Sequence, residues 1–260
     1  QYLIHFYVGD FPYDKAMSNQ FRIAHEMMTR RHGKLLLFRG FKAPERALEY
    51  FEKIVDSAPN WEKTASALFF IGSIQEERKN YDDAVTAFER VRREFPASPM
   101  APLAAYRGAL CRCQTADQHP RDEIRCREAL SAMAAYLRDY PDGDDAGEVR
   151  TRMEALKKRL SEMYFERAVF YDRMKKQPQA AQLAYEDFLR RFAWSEHAAV
   201  ATRRVEELQT EVAHLAEQAF ARAERNEQKG VARRMVLEGY QDFIKRFPQT
   251  PQAALAQERV

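Results

Sequence analysis

The stretch from Ala67 to Pro96 constrains the fold of this chain more than any other. It reads ALFFIGSIQEERKNYDDAVTAFERVRREFP, and its apolar spacing predicts two short helices joined by a tight turn. Gly72 and Ala84 are small, which lets two helices approach closely, and Phe88 would fill the space against the next unit. Pro96 cannot continue a helix and ends the unit. The stretch therefore predicts a helical hairpin with closely packed helices.

The spacing of this hairpin is that of a tetratricopeptide repeat (TPR), a helix pair that stacks on its neighbours. Only Gln75 departs from the pattern, because it stands where an aromatic residue is usual. A plain helical hairpin that matches by chance is the alternative. The pattern positions are occupied by Leu68, Ile71, Gly72, Gln75, Ala84, Phe88, Val91 and Pro96.

Helix ends similar to the one at Pro96 recur along the chain. The intervals between them grow toward the C-terminus and exceed the roughly 34 residues of a minimal repeat. They predict an all-α fold, a TPR solenoid of about five helical hairpins with lengthened C-terminal helices. We expect a single domain over 1–260, in which each repeat buries its face on its neighbours. Its parts are an N-terminal segment 1–12, the repeats 13–60, 61–98, 99–142, 143–194 and 195–249, and the start of a further or capping helix at 250–260.

The composition agrees with a helical globular protein. Charged residues make up 31% of the 260 residues, with only 9 Gly and 11 Pro, and the two signs of charge are interspersed. The net charge of +3 is too small to argue for a nucleic-acid partner. No stretch approaches the roughly 20 apolar residues that span a bilayer. Because the chain begins at Gln1 rather than Met, we expect it to be a processed product.

The sequence offers no catalytic or cofactor motif. It has no Gly-rich phosphate loop and no Gly-x-Ser-x-Gly nucleophile turn, and its six histidines are scattered, away from any known ligand spacing. We therefore expect no enzymatic activity, no cofactor and no metal site.

The three cysteines, Cys111, Cys113 and Cys126, all fall in the third repeat. A Cys-x-Cys pair on one helix points its thiols about 200° apart, which argues against a shared metal ion. If the turn lies near His119, Cys113 would face Cys126 on the antiparallel helix. A disulfide between Cys113 and Cys126 is one interpretation, and small buried apolar residues are the other.

The first helix of each TPR lines the concave face of the solenoid. Paired aromatic side chains on such a face suggest a groove for an extended peptide, unless neighbouring helices cover them. We expect the groove to be lined by Phe69, Phe70, Ser73, Glu76 and Glu77 from the second repeat and by Tyr106, Arg107 and Leu110 from the third.

Four stretches make this chain resemble the BamD-like outer-membrane lipoproteins, TPR proteins of the β-barrel assembly machinery. The resemblance covers about Asp14 to Leu208 and is most specific from Tyr81 to Phe192, which includes the long fourth-repeat helix. The stretches read YDDAVTAFERVRREFPASPMAPLAAYRGAL, AYLRDYPDG, MEALKKRLSEMYFERAVFYDRMKKQPQAAQLAYEDFLRRF and YQDFIKRFPQTPQAA.

The resemblance implies a scaffold on the periplasmic face of the bacterial outer membrane, with only a lipid anchor, absent from this chain, touching the membrane. Its C-terminal repeats would bind the periplasmic domains of a BamA-type barrel protein. Its N-terminal groove would receive the aromatic C-terminal peptide of an unfolded outer-membrane protein. Phe69, Phe70 and Tyr106 would then host the aromatic side chains, and Arg107 would be available for the terminal carboxylate.

The chain departs from the family pattern in three places. The anchor cysteine is absent, Phe192-Ala193-Trp194-Ser195 replaces the usual Tyr-Pro-Asp-Thr, and the fifth repeat is longer than in the family. Two other functions fit the sequence as well. One is a periplasmic TPR adaptor of the Tol-Pal-associated type, and the other is a generic peptide-binding TPR protein of the cytoplasm.

Overall fold

The structure is a computed structural model that describes residues 13–29, 44–174 and 177–260, and within these ranges it contains helices and turns but no strand. The predicted all-α class is confirmed, whereas the N-terminal segment 1–12 lies outside the described residues. The helices are α1 (Tyr13–Thr29), α2 (Pro44–Ser57), α3 (Thr64–Glu77), α4 (Tyr81–Glu94), α5 (Met100–Gln118), α6 (Glu123–Asp139), α7 (Ala146–Arg173), α8 (Pro178–Phe192), α9 (Ala198–Gln228), α10 (Arg233–Arg246) and α11 (Pro251–Glu258).

The helix ends follow local signals in the sequence. The carboxylate of Asp122 accepts hydrogen bonds from the backbone N–H groups of Ile124 (2.9 Å) and Arg125 (3.1 Å), and so caps the start of α6. Helices α8 and α11 both begin with a proline, which needs no intrahelical N–H partner at that position. The predicted lengthening toward the C-terminus is present in α7 (28 residues) and α9 (31 residues).

The chain divides into two compact units, Gln1–Lys157 and Lys158–Val260, and the boundary falls inside α7. In the first unit, consecutive helices from α1 to α6 pack against each other. Buried apolar side chains such as Phe51, Leu68 and Phe88 form a core shared by α1 to α5. The division into five repeats of one continuous solenoid stays a prediction.

Helices α3 and α4 approach each other closely at Gly72. A Cβ atom added there would lie 2.7 Å from Cε1 of Phe88, whose ring is fully buried. Ala84, on the same helix as Phe88, is also fully buried. The predicted role of Gly72 in close helix packing is therefore confirmed, and Ala84 and Phe88 are both buried.

The second unit contains aromatic clusters between its helices. One of them joins the end of α9 to α10 and α11 through Phe220, Tyr240, Phe243 and Phe247, together with small residues of α11. Within the described part of the chain, no helix is both long enough and apolar enough to cross a membrane.

Candidate peptide-binding pocket

A pocket of about 220 Å³ opens in the first unit, where side chains of α1, α3 and α5 converge. Its walls combine apolar side chains with two hydroxyls, a carboxylate and a guanidinium group, and ligand pockets commonly pair an apolar lining with a few polar groups. The lining residues are Met28, Thr29, Phe69, Phe70, Ser73, Ile74, Glu77 and Arg107.

Phe69 and Phe70 form walls of the pocket, but most of their surface packs inward. Phe69 is only 6% exposed, and its ring lies 5.5 Å from the ring of Phe88. Phe70 is half-buried, with its ring 5.3 Å from the rings of both His25 and Phe51. Neighbouring helices therefore cover much of the aromatic pair that the sequence places on an open face, and what remains lines a pocket of side-chain size.

Arg107 closes one side of the pocket and already has partners of its own. Its Nη1 donates a hydrogen bond to Ser73 Oγ (2.7 Å), and its Nη2 lies 2.6 Å from Glu76 Oε2. The guanidinium carbon also lies 5.5 Å from the ring centres of Phe69 and Phe88. Arg107 is therefore already engaged by Ser73 and Glu76 where it forms a wall of the pocket, and its role toward a peptide carboxylate stays a prediction.

The structure separates Tyr106 and Leu110 from this pocket. The Tyr106 hydroxyl donates a hydrogen bond to Glu148 Oε2 (2.8 Å), and the two rings of Tyr106 and Tyr136 are 6.0 Å apart. Burial, followed by the hydrogen bond to Glu148, raises the pKa of Tyr106 to about 12. Leu110 is half-buried and does not line the pocket. The structure thus joins five of the eight predicted residues in one pocket and connects Glu76 to it through Arg107.

Three lining residues, Met28, Thr29 and Ile74, were not among those expected from the sequence. Met28 and Thr29 come from the end of α1, which belongs to the preceding hairpin. The apolar pattern of α1 does not show which neighbouring helix these side chains meet. Only the stacking of α1 beside α3 brings these side chains to the pocket.

All three cysteines are buried on α5 and α6. Cys113 Sγ lies 3.7 Å from Met133 Sδ. Burial, reinforced by the nearby Glu76 carboxylate, raises the pKa of the Cys111 thiol to about 12, so this thiol stays protonated at neutral pH. The disulfide between Cys113 and Cys126 stays a prediction. Among the described residues, no group of His, Cys, Asp or Glu is placed to hold a metal ion.

The comparisons with known proteins agree on one family. The family model described as YfiO, outer membrane lipoprotein, matches residues 42–219, which is more than half of the chain. A curated relative, the outer membrane protein assembly factor BamD of Caulobacter vibrioides, is 23% identical over 115 residues, or 44% of this chain. The matched region spans only 38% of that relative. The extent of the family match shows that the chain belongs to the YfiO family of outer membrane lipoproteins.

Proposed function

We propose that this protein is a non-enzymatic scaffold in the assembly of outer-membrane β-barrel proteins, acting on the periplasmic face of the outer membrane. The relative from Caulobacter vibrioides is named an outer membrane protein assembly factor, which supports a role in assembly. The family description, outer membrane lipoprotein, supports a location at the outer membrane. The scaffold would bind the periplasmic domains of a BamA-type barrel protein.

The pocket lined by Phe69, Phe70 and Arg107 is the observation that supports binding of an unfolded outer-membrane protein as substrate. Its volume of about 220 Å³ suits one aromatic side chain, and its walls offer ring faces to such a group. An unfolded outer-membrane protein would insert one aromatic side chain of its C-terminal peptide here. The backbone of that peptide would lie outside the pocket, beside the exposed carboxylate of Glu77.

Affinity capture from detergent-solubilised membranes tests the scaffold role. Recovery of a large barrel protein with repeated periplasmic domains is the expected result. Recovery of a peptidoglycan-linked or other periplasmic protein instead, without any barrel, would refute the assembly role and favour the adaptor function.

Peptide binding tests the pocket separately. The probe is a ten-residue peptide with alternating aromatic residues, compared by calorimetry with a version in which every aromatic residue is alanine. Replacing both Phe69 and Phe70 by alanine would also damage the core, so the better variants are Phe70→Leu, which keeps an apolar wall, and Glu77→Arg at the exposed edge. Glu128→Arg, an exposed change on α6, is the matched control.

We expect the aromatic peptide to bind, the alanine peptide to bind at least tenfold more weakly, and Phe70→Leu to lose several-fold in affinity. Glu77→Arg should change the affinity, and Glu128→Arg should leave it unchanged. If the aromatic peptide binds the wild type and Phe70→Leu equally well, the pocket is not the substrate-binding site, even if affinity capture recovers a barrel protein.

A further inference from the structure

Two stretches of the second unit align residue for residue. Each position in 165–205 corresponds to the position numbered 55 higher, in 220–260, and 13 of these 41 pairs are identical without a gap. The packing agrees with the alignment. The ring centres of Phe165 and Tyr185 are 6.0 Å apart, as are those of Phe220 and Tyr240. The second unit therefore contains one aromatic motif twice.

The two copies of this motif share charged surface residues as well as core residues. Core packing explains a buried pair such as Tyr185 and Tyr240, but it does not require the same charges at the surface. Three charged residues recur unchanged and a fourth keeps its charge: Arg167, Asp187 and Arg191 recur as Arg222, Asp242 and Arg246, and Arg190 recurs as Lys245. These charges are therefore a feature of the motif that its core leaves unexplained.

In the first copy, three arginine side chains converge on the carboxylate of Asp187. Arg191 Nε donates to its Oδ1 at 3.0 Å, and Arg190 Nη2 donates to the same oxygen. Arg167 Nη2, from α7, lies 3.7 Å from its Oδ2. The arginine side chains are 42% to 73% exposed, against 24% for Asp187. We call these four side chains the basic cluster, whose three positive charges and one negative charge give a net charge of +2.

A buried aromatic ring packs against two of these arginines. Tyr164 is 3% exposed, and the guanidinium carbons of Arg167 and Arg191 lie 4.1 Å and 5.5 Å from its ring centre. Each guanidinium group has five N–H donors, and the three groups together have more donors than one carboxylate can accept. The basic cluster thus presents donors that are already positioned, which lowers the entropy cost of binding an anion.

The corresponding place in the first unit carries paired charges instead. In α4 and α6, the residue before the closing aromatic residue is acidic, whereas in α8 it is Arg191. Arg93 Nη2 donates to Glu94 Oε1 at 2.9 Å. Similarly, Arg138 Nε donates to Asp139 Oδ1 at 3.0 Å. The preference for cations at the C-terminal end of a helix applies to all three helices, so it does not explain why α8 alone among them has an arginine at this position.

An exposed tryptophan lies close to the basic cluster. Trp194 follows Arg191 by three residues and is 57% exposed, and its ring centre lies 6.1 Å from that of Phe192. The ring centre of Phe192 lies in turn 5.1 Å from that of Tyr164, the ring on which the arginines pack. Tryptophan favours the headgroup level of a membrane, and arginine forms two-point contacts with phosphate. The two residue types together therefore suit a phospholipid surface.

We propose that the basic cluster and Trp194 form a surface that binds anionic phospholipid headgroups. The arginines contact the phosphate groups, and the indole ring lies at the headgroup level. The chain belongs to a family of outer membrane lipoproteins, so a phospholipid surface is the binding partner that its location supplies. The inference uses this family membership but neither the proposed barrel partner nor the peptide pocket, so it can fail while both of them stand.

Co-sedimentation of the whole chain with vesicles tests the proposal, and the chain is used without a lipid anchor so that its own surface does the binding. The vesicles contain phosphatidylcholine alone or with about one-third phosphatidylglycerol, which supplies the negative charge. We expect the wild type to bind the anionic vesicles and not the neutral ones. Because Arg190 is the most exposed member of the basic cluster, Arg190→Glu should stay folded and weaken this binding about tenfold.

Arg138→Glu is the matched control. Arg138 stands in the last turn of α6 at the place that Arg190 occupies in α8, and both side chains are 73% exposed. Both variants change the net charge of the chain by the same amount, so general attraction to a charged surface falls equally in the two. Arg138→Glu should therefore retain nearly all of the vesicle binding. Helix circular dichroism checks that both variants are folded.

Trp194 provides an independent readout in a Trp61→Phe variant, where it is the one tryptophan left. On anionic vesicles, its fluorescence should shift to shorter wavelength and become less accessible to acrylamide. An unchanged spectrum would overturn the proposal, and so would equal losses of vesicle binding in Arg190→Glu and Arg138→Glu. Binding of the wild type to polyglutamate but not to anionic vesicles would refute it as well, because the basic cluster would then serve an acidic polypeptide.

Discussion

Replacing Gly72 with alanine is the sharpest test of how α3 and α4 pack. The added methyl group would lie 2.7, 2.8 and 2.9 Å from three carbon atoms of the Phe88 ring. That ring has little freedom to move, because it is fully buried between the ring of Phe69 and the guanidinium group of Arg107. Relief of the contact must therefore come from separation of the two helices.

Two opposing effects set the expected magnitude. Overpacking a buried site costs about 1–3 kcal/mol, whereas alanine favours the middle of a helix over glycine by about 1 kcal/mol. Gly72→Ala should thus lower the free energy of unfolding of the first unit by about 1 kcal/mol. Gly239→Ala, in the middle of α10, is the matched control because an added Cβ there meets nothing within 4 Å. It should raise the free energy of unfolding by up to about 1 kcal/mol.

Urea unfolding measures both effects. The chain has two tryptophans, one in each unit, so the fluorescence of buried Trp61 in a Trp194→Phe background reports on the first unit alone. Helix circular dichroism reports on Gly239→Ala. Adding Phe88→Leu to Gly72→Ala should restore part of the lost stability, seen as a favourable coupling energy in a double-mutant cycle. The steric argument fails if Gly72→Ala stabilises its unit as much as Gly239→Ala does.

Three further predictions concern other parts of the molecule. Hydrogen bonding from Arg204 lowers the pKa of Asp172 below its ordinary value of 3.8. This carboxylate therefore stabilises the fold above pH 3.8, and the stabilisation is lost as the pH falls through the lower, folded-state pKa. Acid unfolding followed by circular dichroism should show a weaker pH dependence below about pH 4 in Asp172→Asn than in Asp242→Asn, an exposed control on α10. Because the cysteines are buried, the native protein should show no rapid reaction with a thiol reagent at pH 8. In the urea-unfolded protein, reaction of all three thiols would refute the disulfide between Cys113 and Cys126, and reaction of only one thiol would support it. Lys79 follows the end of α3 with a positive φ of 62°, so Lys79→Gly should raise the free energy of unfolding by about 1 kcal/mol, whereas an unchanged urea midpoint would show that no strain is present.

The sequence was most informative where one residue type serves one physical need. Gly72 and Phe88 could be assigned to a close helix crossing because the small size of glycine and the volume of the phenyl ring follow directly from the residue types. The all-α class and the long helices followed from apolar spacing and from aromatic–proline helix ends. Such features depend on contacts between helices that are neighbours in sequence.

The pocket was harder to predict because it depends on which helices lie beside each other. The spacing of α3 shows that Phe69 and Phe70 are neighbours but not that Phe70 meets Phe51 and His25. The charge of Arg107 is visible in the sequence, whereas its engagement by Glu76 and Ser73 is not. In α1, Ala16 is only half-buried, whereas its neighbour Met17 is fully buried. A shift of one residue on a helix is a rotation of about 100°, which short amphipathic segments specify poorly.

The 31 residues of α9 give this helix a mechanical role in the second unit. Arg204 near its start belongs to one aromatic motif and Phe220 near its end to the next, so the helix sets the angular phase between them. Between these residues, the segment 209–211 is exposed, so a change of length there removes no buried side chain. Deleting one residue there would turn everything beyond it by about 100°, while inserting seven would turn it by only about 20°. In α9, helical phase thus limits which changes of length the protein can accept.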